Sequence, residues 1–142
     1  MLSVIIVNYN DKYYLEQCLE AVHRASQGLQ VEILVVDNLS TDGSVSYLRE
    51  RFPKVIFIEN KVNLGFARAN NQAIRMSSGK YVLLLNPDTL ITERTLNDFV
   101  EFMEAHPEAG GVGAYMLRTD GTFAPESRRG LPTPFVAFCK MS

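Results

Sequence analysis

Four short apolar runs recur along the chain, and none of them alternates apolar with polar residues. They lie at residues 4–7, 33–36, 55–58 and 81–85, and each is rich in valine, isoleucine or leucine. A strand with one face in water would alternate, so these runs predict strands buried on both faces of a parallel sheet. Residues 111–117 are a weaker fifth candidate.

Helical patterns separate these runs. Two of them place apolar residues at spacings of three and four: Leu15, Cys18, Leu19 and Val22, and later Leu96, Phe99, Val100 and Met103. Further helices are predicted at 44–51 and 67–76, and Gly28 can end the first helix. The β-α order predicts an α/β/α sandwich with a mostly parallel central sheet, within the range of one domain at 142 residues.

Charge and composition narrow the function classes. The net charge of −2 argues against a nucleic-acid partner, which usually leaves a basic excess. No apolar run approaches the roughly 20 residues of a membrane span. The first apolar run lacks a preceding basic segment, so it is predicted to be a strand and not a signal peptide. Cys18 and Cys139 are predicted to be free thiols in a reducing cytoplasm.

Amides and carboxylates collect where the predicted strands end. Ligands of open α/β sheets bind beyond these carboxyl ends, so the residues there are candidates for a nucleotide site. The candidates are Asn8, Tyr9, Asn10, Asp37, Asn38, Ser40, Asn63, Gly65, Asn70 and Asn86, with Asp88 as a metal ligand. Few cations lie among them. The pattern favours a nucleoside bound by hydrogen bonds, with a metal ion neutralising its phosphates.

Asp88 follows a leucine run and Pro87. Mg²⁺ and Mn²⁺ prefer oxygen ligands and often bind one or two carboxylates together with substrate phosphates. Pro87 fixes its own φ angle and would help to orient Asp88. The glycine-rich phosphate-binding signatures of other nucleotide sites are absent from the sequence.

These residues also have structural alternatives. Asp37 and Asp88 can cap the turns that follow their strands, because Asx residues commonly do so. Asp42–Gly43 is a turn signal first. The convergence of three Asx-bearing strand ends on one edge favours a binding site.

Four ordered segments, VIIVNYN, VVDNLSTDGS, NLGFARANNQAI and LLLNPDT, resemble the inverting family 2 glycosyltransferases of GT-A fold. The rhamnosyltransferase-like branch is the most similar, and the later GGVGAYMLRTDGTFAPESRRGLPTP also resembles it. The resemblance covers nearly the whole chain. It implies a GT-A fold, cut on its C-terminal side, with a nucleotide-sugar donor and Mg²⁺ or Mn²⁺.

The resemblance also implies roles for single residues. Asn8 and Tyr9 would contact a pyrimidine base, and Asp37 would bind the uracil or thymine edge, flanked by Asn38 and Ser40. The segment with Asn63, Gly65 and Asn70 would close over base, ribose and pyrophosphate. The segment Asn86-Pro87-Asp88 takes the place of the D-x-D motif, so Asp88 would hold the metal while Asn86 adds no charge.

The implied activity is inverting transfer from a UDP- or dTDP-sugar to a saccharide or lipid-linked acceptor, in bacterial cell-surface polysaccharide synthesis. It would take place in the cytoplasm, free or at the inner face of the membrane. Inversion needs a general base. The late carboxylates Asp120 and Glu126 lack the family context, so the base is expected beyond Ser142.

Residues 1–142 are therefore expected to be the donor-binding portion, inactive alone, with the acceptor-side segment starting at 118–142. The apolar residues 135–138 are expected to support self-association. Two alternatives remain open: a donor-binding module without turnover, and a nucleotidyltransferase.

Overall fold

A computed structural model of the chain describes residues 1–118 and 120–124. The chain divides into two compact units, Met1–Ala105 and His106–Ser142. The strands are β1 (Leu2–Asn8), β2 (Val31–Asp37), β3 (Ile56–Glu59) and β4 (Tyr81–Leu85), and the helices are α1 (Lys12–Ala25), α2 (Ser44–Arg51), α3 (Phe66–Met76) and α4 (Thr95–Ala105). Within the described residues, no helix has the length and apolar character needed to cross a bilayer.

The first unit is built on one parallel sheet with the strand order β3-β2-β1-β4. Strand β1 pairs with β2 from Leu2–Val31 to Asn8–Asp37, and with β4 on its other side. Each strand is followed by a helix. The predicted α/β architecture is therefore confirmed, and all four carboxyl ends of the strands lie at the same edge of the sheet.

The core lies on both faces of β1, whose seven residues are all buried. Leu2, Val4 and Ile6 pack on one face with apolar residues of α1. Ile5 and Val7 belong to a second cluster on the opposite face, which includes residues of α3. Continuous apolar sequence in β1 thus reflects burial on two sides, as predicted.

The edge strands depart from that prediction. In β4, Val82 is 40% exposed and Leu84 is 48% exposed, whereas Leu85 is buried. In β3, Ile56 is 45% exposed. The prediction of two buried faces is wrong for these strands because each lies at an edge of the sheet, and α3 packs on the central strands β1 and β2.

The prediction of a fifth strand at residues 111–117 is also wrong. Only Leu117 pairs there, in an isolated antiparallel bridge with Phe123. The connecting turn has Gly121 at φ 82°, and its N–H donates to the carbonyl of Arg118 at 2.9 Å. The turn predicted at Asp120-Gly121 is present, but the glycines at 110, 111 and 113 give a strand no side chains to pack.

Near the amino end of β2, Glu32 links this strand to β1 and to the connection between α3 and β4. Its Oε1 accepts hydrogen bonds from the Ser3 hydroxyl and from the backbone N–H groups of Ser78 and Gly79. Burial alone would raise the pKa of Glu32, but these hydrogen bonds outweigh it and hold the pKa below its ordinary value. Glu32 therefore fixes the connection between α3 and β4 onto β1 and β2.

We expect Glu32→Gln to lower the free energy of unfolding at pH 7 by about 1 kcal/mol, because hydrogen bonds to a charged acceptor become neutral ones. A pKa that is depressed in the folded state contributes stability above the unfolded pKa, and this stability is lost as pH falls through the folded pKa. Melting curves between pH 7 and 3 should therefore converge for parent and variant. Glu50→Gln, which changes an exposed carboxylate on α2, is the control. A stability gap that stays constant with pH would contradict this role of Glu32.

Candidate functional site

The carboxyl ends of β1 and β2 are joined by backbone and side chains. Asn8 and Asp37 are register partners, and the Asn38 N–H donates to the Asn8 carbonyl at 2.9 Å. The Asn60 N–H donates in turn to the Asp37 carbonyl at 2.9 Å. The structure thus brings three predicted strand ends to one place.

The loops after β1 and β2 are joined by hydrogen bonds. The Asn10 N–H donates to the Ser40 hydroxyl at 2.9 Å, and Asn10 Oδ1 accepts from the Thr41 N–H at 2.7 Å. This exchange requires Asn10 at φ 61°, a left-handed conformation that asparagine tolerates. Leu39 also has a positive φ, of 73°. The hydrogen bonds between Asn10 and Ser40–Thr41 fix the path of both loops around the strand ends.

Asp42 links the first turns of two helices. Its carboxylate accepts from the Lys12 N–H at the start of α1 and from the Ser44 N–H at the start of α2, each at 3.0 Å. Burial alone would raise the pKa of Asp42, but the bonds from Ser44 and Lys12 lower it below its ordinary value. Asp42 therefore has a structural partner for each of its oxygens.

The loop that leads into α3 is fixed by two amides. Asn38 Oδ1 accepts from Asn60 Nδ2 and from the Leu64 N–H, both at 3.2 Å. Asn63 Oδ1 accepts from the Gly65 N–H at 2.8 Å. Gly65 has φ 75° and ψ 163°, a conformation open essentially to glycine alone. This bend starts α3 at Phe66.

An open cleft of about 750 Å³ lies at this edge of the sheet. Aromatic rings, amides and carboxylates line it, and no lysine, arginine or histidine is among its described lining residues. The lining residues are Val7, Tyr9, Asp11, Tyr14, Asn38, Asn63, Gly65, Phe66, Asn86, Pro87 and Asp88. The predicted residues Tyr9, Asn38, Asn63, Gly65, Asn86 and Asp88 thus share one cleft.

The other predicted residues lie elsewhere. Asn8 and Asp37 are buried, at 0% and 4% exposure, and bond to each other and to Ser40 instead of lining the cleft. Asn10 lines a separate, smaller cleft of about 290 Å³. Asn70 is 4% exposed and donates to the Phe66 carbonyl within α3.

Three acidic or aromatic cleft residues were not among the predicted site residues: Asp11, Tyr14 and Phe66. Asp11 occupies the N-cap position of α1, where sequence alone predicts a cap. Its side chain makes no capping bond, and the Lys12 N–H at the start of α1 donates to Asp42. Tyr14 and Phe66 are 60% and 58% exposed, which makes their rings available to a ligand. Phe66 follows the predicted Gly65 directly and lies within the segment NLGFARANNQAI, which was expected to close over a nucleotide.

The turn after β4 rests on α1. The Cys18 thiol donates to the Asn86 carbonyl at 3.7 Å. Burial, with a smaller contribution from the negative charge of Asp88, raises the pKa of Cys18 to about 12. Cys18 is thus a free, buried and protonated thiol, as predicted. Cys139 lies outside the described residues.

The donor set suits a hard divalent cation. Asp88, Asp11 and Asn86 bring oxygen atoms to the same cleft, and oxygen is the ligand that Mg²⁺ and Mn²⁺ prefer. No group of three or more His, Cys, Asp or Glu side chains is placed to hold a metal in the described part of the chain. These side chains alone would therefore supply only part of the six or more ligands that such a cation takes.

The cleft lies beyond the carboxyl ends of the strands, where open α/β sheets bind their ligands. Amides, carboxylates and aromatic rings line it, and no side-chain cation is among its described lining residues. The chain belongs to glycosyl transferase family 2, whose family model matches residues 3–138. This match confirms the resemblance found in the sequence.

Known proteins agree with this assignment. N-acetylglucosaminyl-diphospho-decaprenol L-rhamnosyltransferase of Mycobacterium tuberculosis is 27% identical over 140 residues, which cover 91% of this chain and 45% of that protein. A crystal structure of Staphylococcus aureus TarS 1-349 in complex with UDP-GlcNAc matches with TM-score 0.67 and 25% identity, covering 82% of this chain and 38% of the other. This chain therefore spans less than half the length of both.

A third similar protein carries a metal. The mannosyltransferase PcManGT from Pyrobaculum calidifontis, in complex with GDP-Man and Mn²⁺, matches with TM-score 0.68 and 29% identity. The match covers 82% of this chain and 35% of that chain. These structures therefore share the fold of this chain over 82% of its length.

Proposed function

We propose that this chain is the donor-binding portion of a glycosyltransferase that uses a UDP- or dTDP-sugar. The sugar is transferred with inversion to a saccharide or lipid-linked acceptor, in bacterial cell-surface polysaccharide synthesis at the cytoplasmic side of the membrane. Residues 118–142 start the acceptor-side segment, and the general base lies beyond Ser142. The chain alone binds donor without transfer.

The observation that carries this proposal is the chemistry of the cleft. A nucleoside diphosphate has aromatic, hydrogen-bonding and strongly anionic parts. The cleft offers exposed rings in Tyr9, Tyr14 and Phe66 and amides in Asn38 and Asn63. It offers no side-chain cation among its described lining residues. The counter-charge for a diphosphate must then come from a bound metal ion.

Asp88, with Asp11 and Asn86, is the proposed holder of Mg²⁺ or Mn²⁺. When bound, the cation offsets negative charge on the diphosphate leaving group. Asn86 lacks the charge of an aspartate, and Asp11 supplies a second carboxylate to the same cleft. The Mn²⁺ in the complex of PcManGT with GDP-Man supports a metal here.

The choice of a pyrimidine donor is supported by the UDP-GlcNAc complex of TarS. The name of the mycobacterial relative describes a lipid-diphosphate acceptor and an L-rhamnosyl donor group, which supports a lipid-linked acceptor. Self-association through residues 135–138 is a separate expectation, and those residues lie outside the described part of the chain.

Calorimetric titration tests the proposal directly. UDP, dTDP, GDP and ADP are each titrated into the 142-residue chain with and without Mn²⁺. We expect UDP or dTDP to bind more tightly than GDP and ADP. We also expect tight binding only when Mn²⁺ is present. Tighter binding of a purine nucleotide, or no binding of any of the four, would refute the proposal.

We expect Asp37→Ala to weaken UDP binding by roughly 1–3 kcal/mol, the range of a hydrogen bond to a charged group. The proposed contact is between the pyrimidine N3–H and the Asp37 carboxylate, so the loss should be the same with and without Mn²⁺. Asp98→Ala, on the exposed surface of α4, is the control. Unchanged UDP affinity in a folded Asp37→Ala variant would exclude the contact.

A further inference from the structure

Asn8 is fully buried at the end of β1, between Val7 and Tyr9, which both line the cleft. Its amide nitrogen lies 2.8 Å from Asp37 Oδ1, 3.0 Å from the Ser40 hydroxyl and 2.9 Å from the Ser44 hydroxyl. An amide NH₂ has two hydrogens, so three acceptors share two donors. The charged oxygen of Asp37 makes the strongest of these bonds.

Asp37 depends on this donor. It is 4% exposed, and a buried carboxylate costs free energy unless it is hydrogen-bonded. Oδ1 accepts from Asn8 Nδ2, and Oδ2 accepts from the Ser40 N–H at 2.9 Å. No lysine, arginine or histidine forms an ion pair with Asp37 within residues 1–118 and 120–124. Two neutral donors thus fix the plane of the carboxylate.

The orientation of the Asn8 amide is itself determined by Asp37. Turning the amide over would place its oxygen 2.8 Å from a carboxylate oxygen, in place of the present N–H bond. In the observed orientation Asn8 Oδ1 is buried and has no partner among the described residues. Asn8 therefore serves the site through its NH₂ group, at the cost of an unsatisfied oxygen.

We propose that Asn8 is a positioning residue for nucleotide recognition: it holds the Asp37 carboxylate in the orientation that accepts the base N3–H and does not touch the nucleotide. This inference rests on the proposed function. On this inference Asn8 makes no direct contact with the base, because Asn8 is at 0% exposure and offers no surface to a ligand. Asp37 keeps 4% exposure and directly precedes Asn38, which lines the cleft.

The test compares UDP with 3-methyluridine 5′-diphosphate, which lacks the N3–H. The parent chain should bind UDP roughly tenfold more tightly, the equivalent of one hydrogen bond. In Asn8→Ala this ratio should fall to about two or less, because Asp37 is no longer fixed. Ser44→Ala is the matched control: it removes another buried partner of Asn8 and should keep the parent ratio.

A purely structural role predicts a different result. Asn8→Ala would then weaken both nucleotides equally and leave their ratio unchanged, which would overturn the inference. Should Asn8→Ala fail to fold, Asn8→Ser retains one donor hydrogen and should give an intermediate ratio. A parent-like ratio in folded Asn8→Ser would also overturn it.

Asp37→Ala separates this inference from the function on which it rests. Adding Asn8→Ala to Asp37→Ala should change the ratio no further, because the carboxylate to be positioned is gone. If Asp37→Ala abolishes discrimination and Asn8→Ala does not, the positioning role alone is refuted. If the parent does not discriminate between the two nucleotides, the base contact and the positioning role are both refuted.

Discussion

Gly79→Ala is expected to lower the melting temperature of the chain by about 10 °C. A Cβ at this position would lie 2.5 Å from the Ser3 hydroxyl oxygen, 2.6 Å from the Ser3 backbone nitrogen and 2.8 Å from the Tyr81 carbonyl oxygen. Ser3 is fully buried, and two of these atoms belong to paired strands that cannot shift alone. Overpacking of this kind costs about 3 kcal/mol, at roughly 3 °C per kcal/mol for a domain of this size.

Gly110→Ala is the matched control for this substitution. A Cβ there would have no atom within 4 Å, and the backbone does not need a positive φ. Its melting temperature should stay within about 2 °C of the parent. Thermal denaturation followed by far-UV circular dichroism measures both. Equal melting temperatures for Gly79→Ala and the parent would show that β1 and β4 can move apart at no cost.

Asp88→Asn is expected to abolish the effect of Mn²⁺ on UDP binding. In the parent, Mn²⁺ should raise the affinity at least tenfold, since it provides the counter-charge that the cleft residues lack. Asparagine keeps the shape and one oxygen of the side chain but removes the charge. Asp88 lies in a turn after β4 and outside the apolar core, so the variant should melt like the parent.

Two further variants complete this experiment. Asp98→Asn, remote on α4, should respond to Mn²⁺ as the parent does. Asp11→Asn should lose part of the response, because its carboxylate lines the same cleft. Titrations of UDP at fixed Mn²⁺, and of Mn²⁺ at fixed UDP, give both affinities. If Mn²⁺ strengthens binding equally in Asp88→Asn and parent, Asp88 is only a turn residue.

The four strands and four helices of the first unit could be predicted from the sequence because their patterns are local, whereas the predicted fifth strand is not formed. The limits of β4 and α2 were predicted to the residue, and β1 and β2 proved longer than their apolar runs. Exposure of Val82 and Leu84 was not predictable, since a leucine run looks the same in a central and in an edge strand. The position of a strand in the sheet is decided by pairing between distant segments.

The site was predictable to a similar degree. Asn residues at the strand ends predicted a binding site at this edge of the sheet. Residue type alone does not show which of these side chains are buried and which are exposed. Asn8 and Tyr9 are neighbours in sequence, yet Asn8 is fully buried and Tyr9 is 52% exposed, because Asn8 is the last residue of the buried strand β1 and Tyr9 lies in the loop that follows it. Asp11 could not be distinguished from a helix cap, since an aspartate directly before a helical pattern usually caps the helix, whereas this one makes no capping bond.

The central place of β1 has a consequence for biosynthesis. Leu2 of β1 pairs with Val31 of β2 on one side and with Tyr81 of β4 on the other. One edge of β1 therefore stays unpaired until β4 has been synthesised. At about 5–20 residues per second, roughly 4–16 s pass between the synthesis of β1 and that of β4. For that time one edge of β1, whose residues 4–7 are all apolar, has no neighbouring strand. Slow codons ahead of β4 would lengthen the delay, and chaperone dependence of the nascent chain should rise with it.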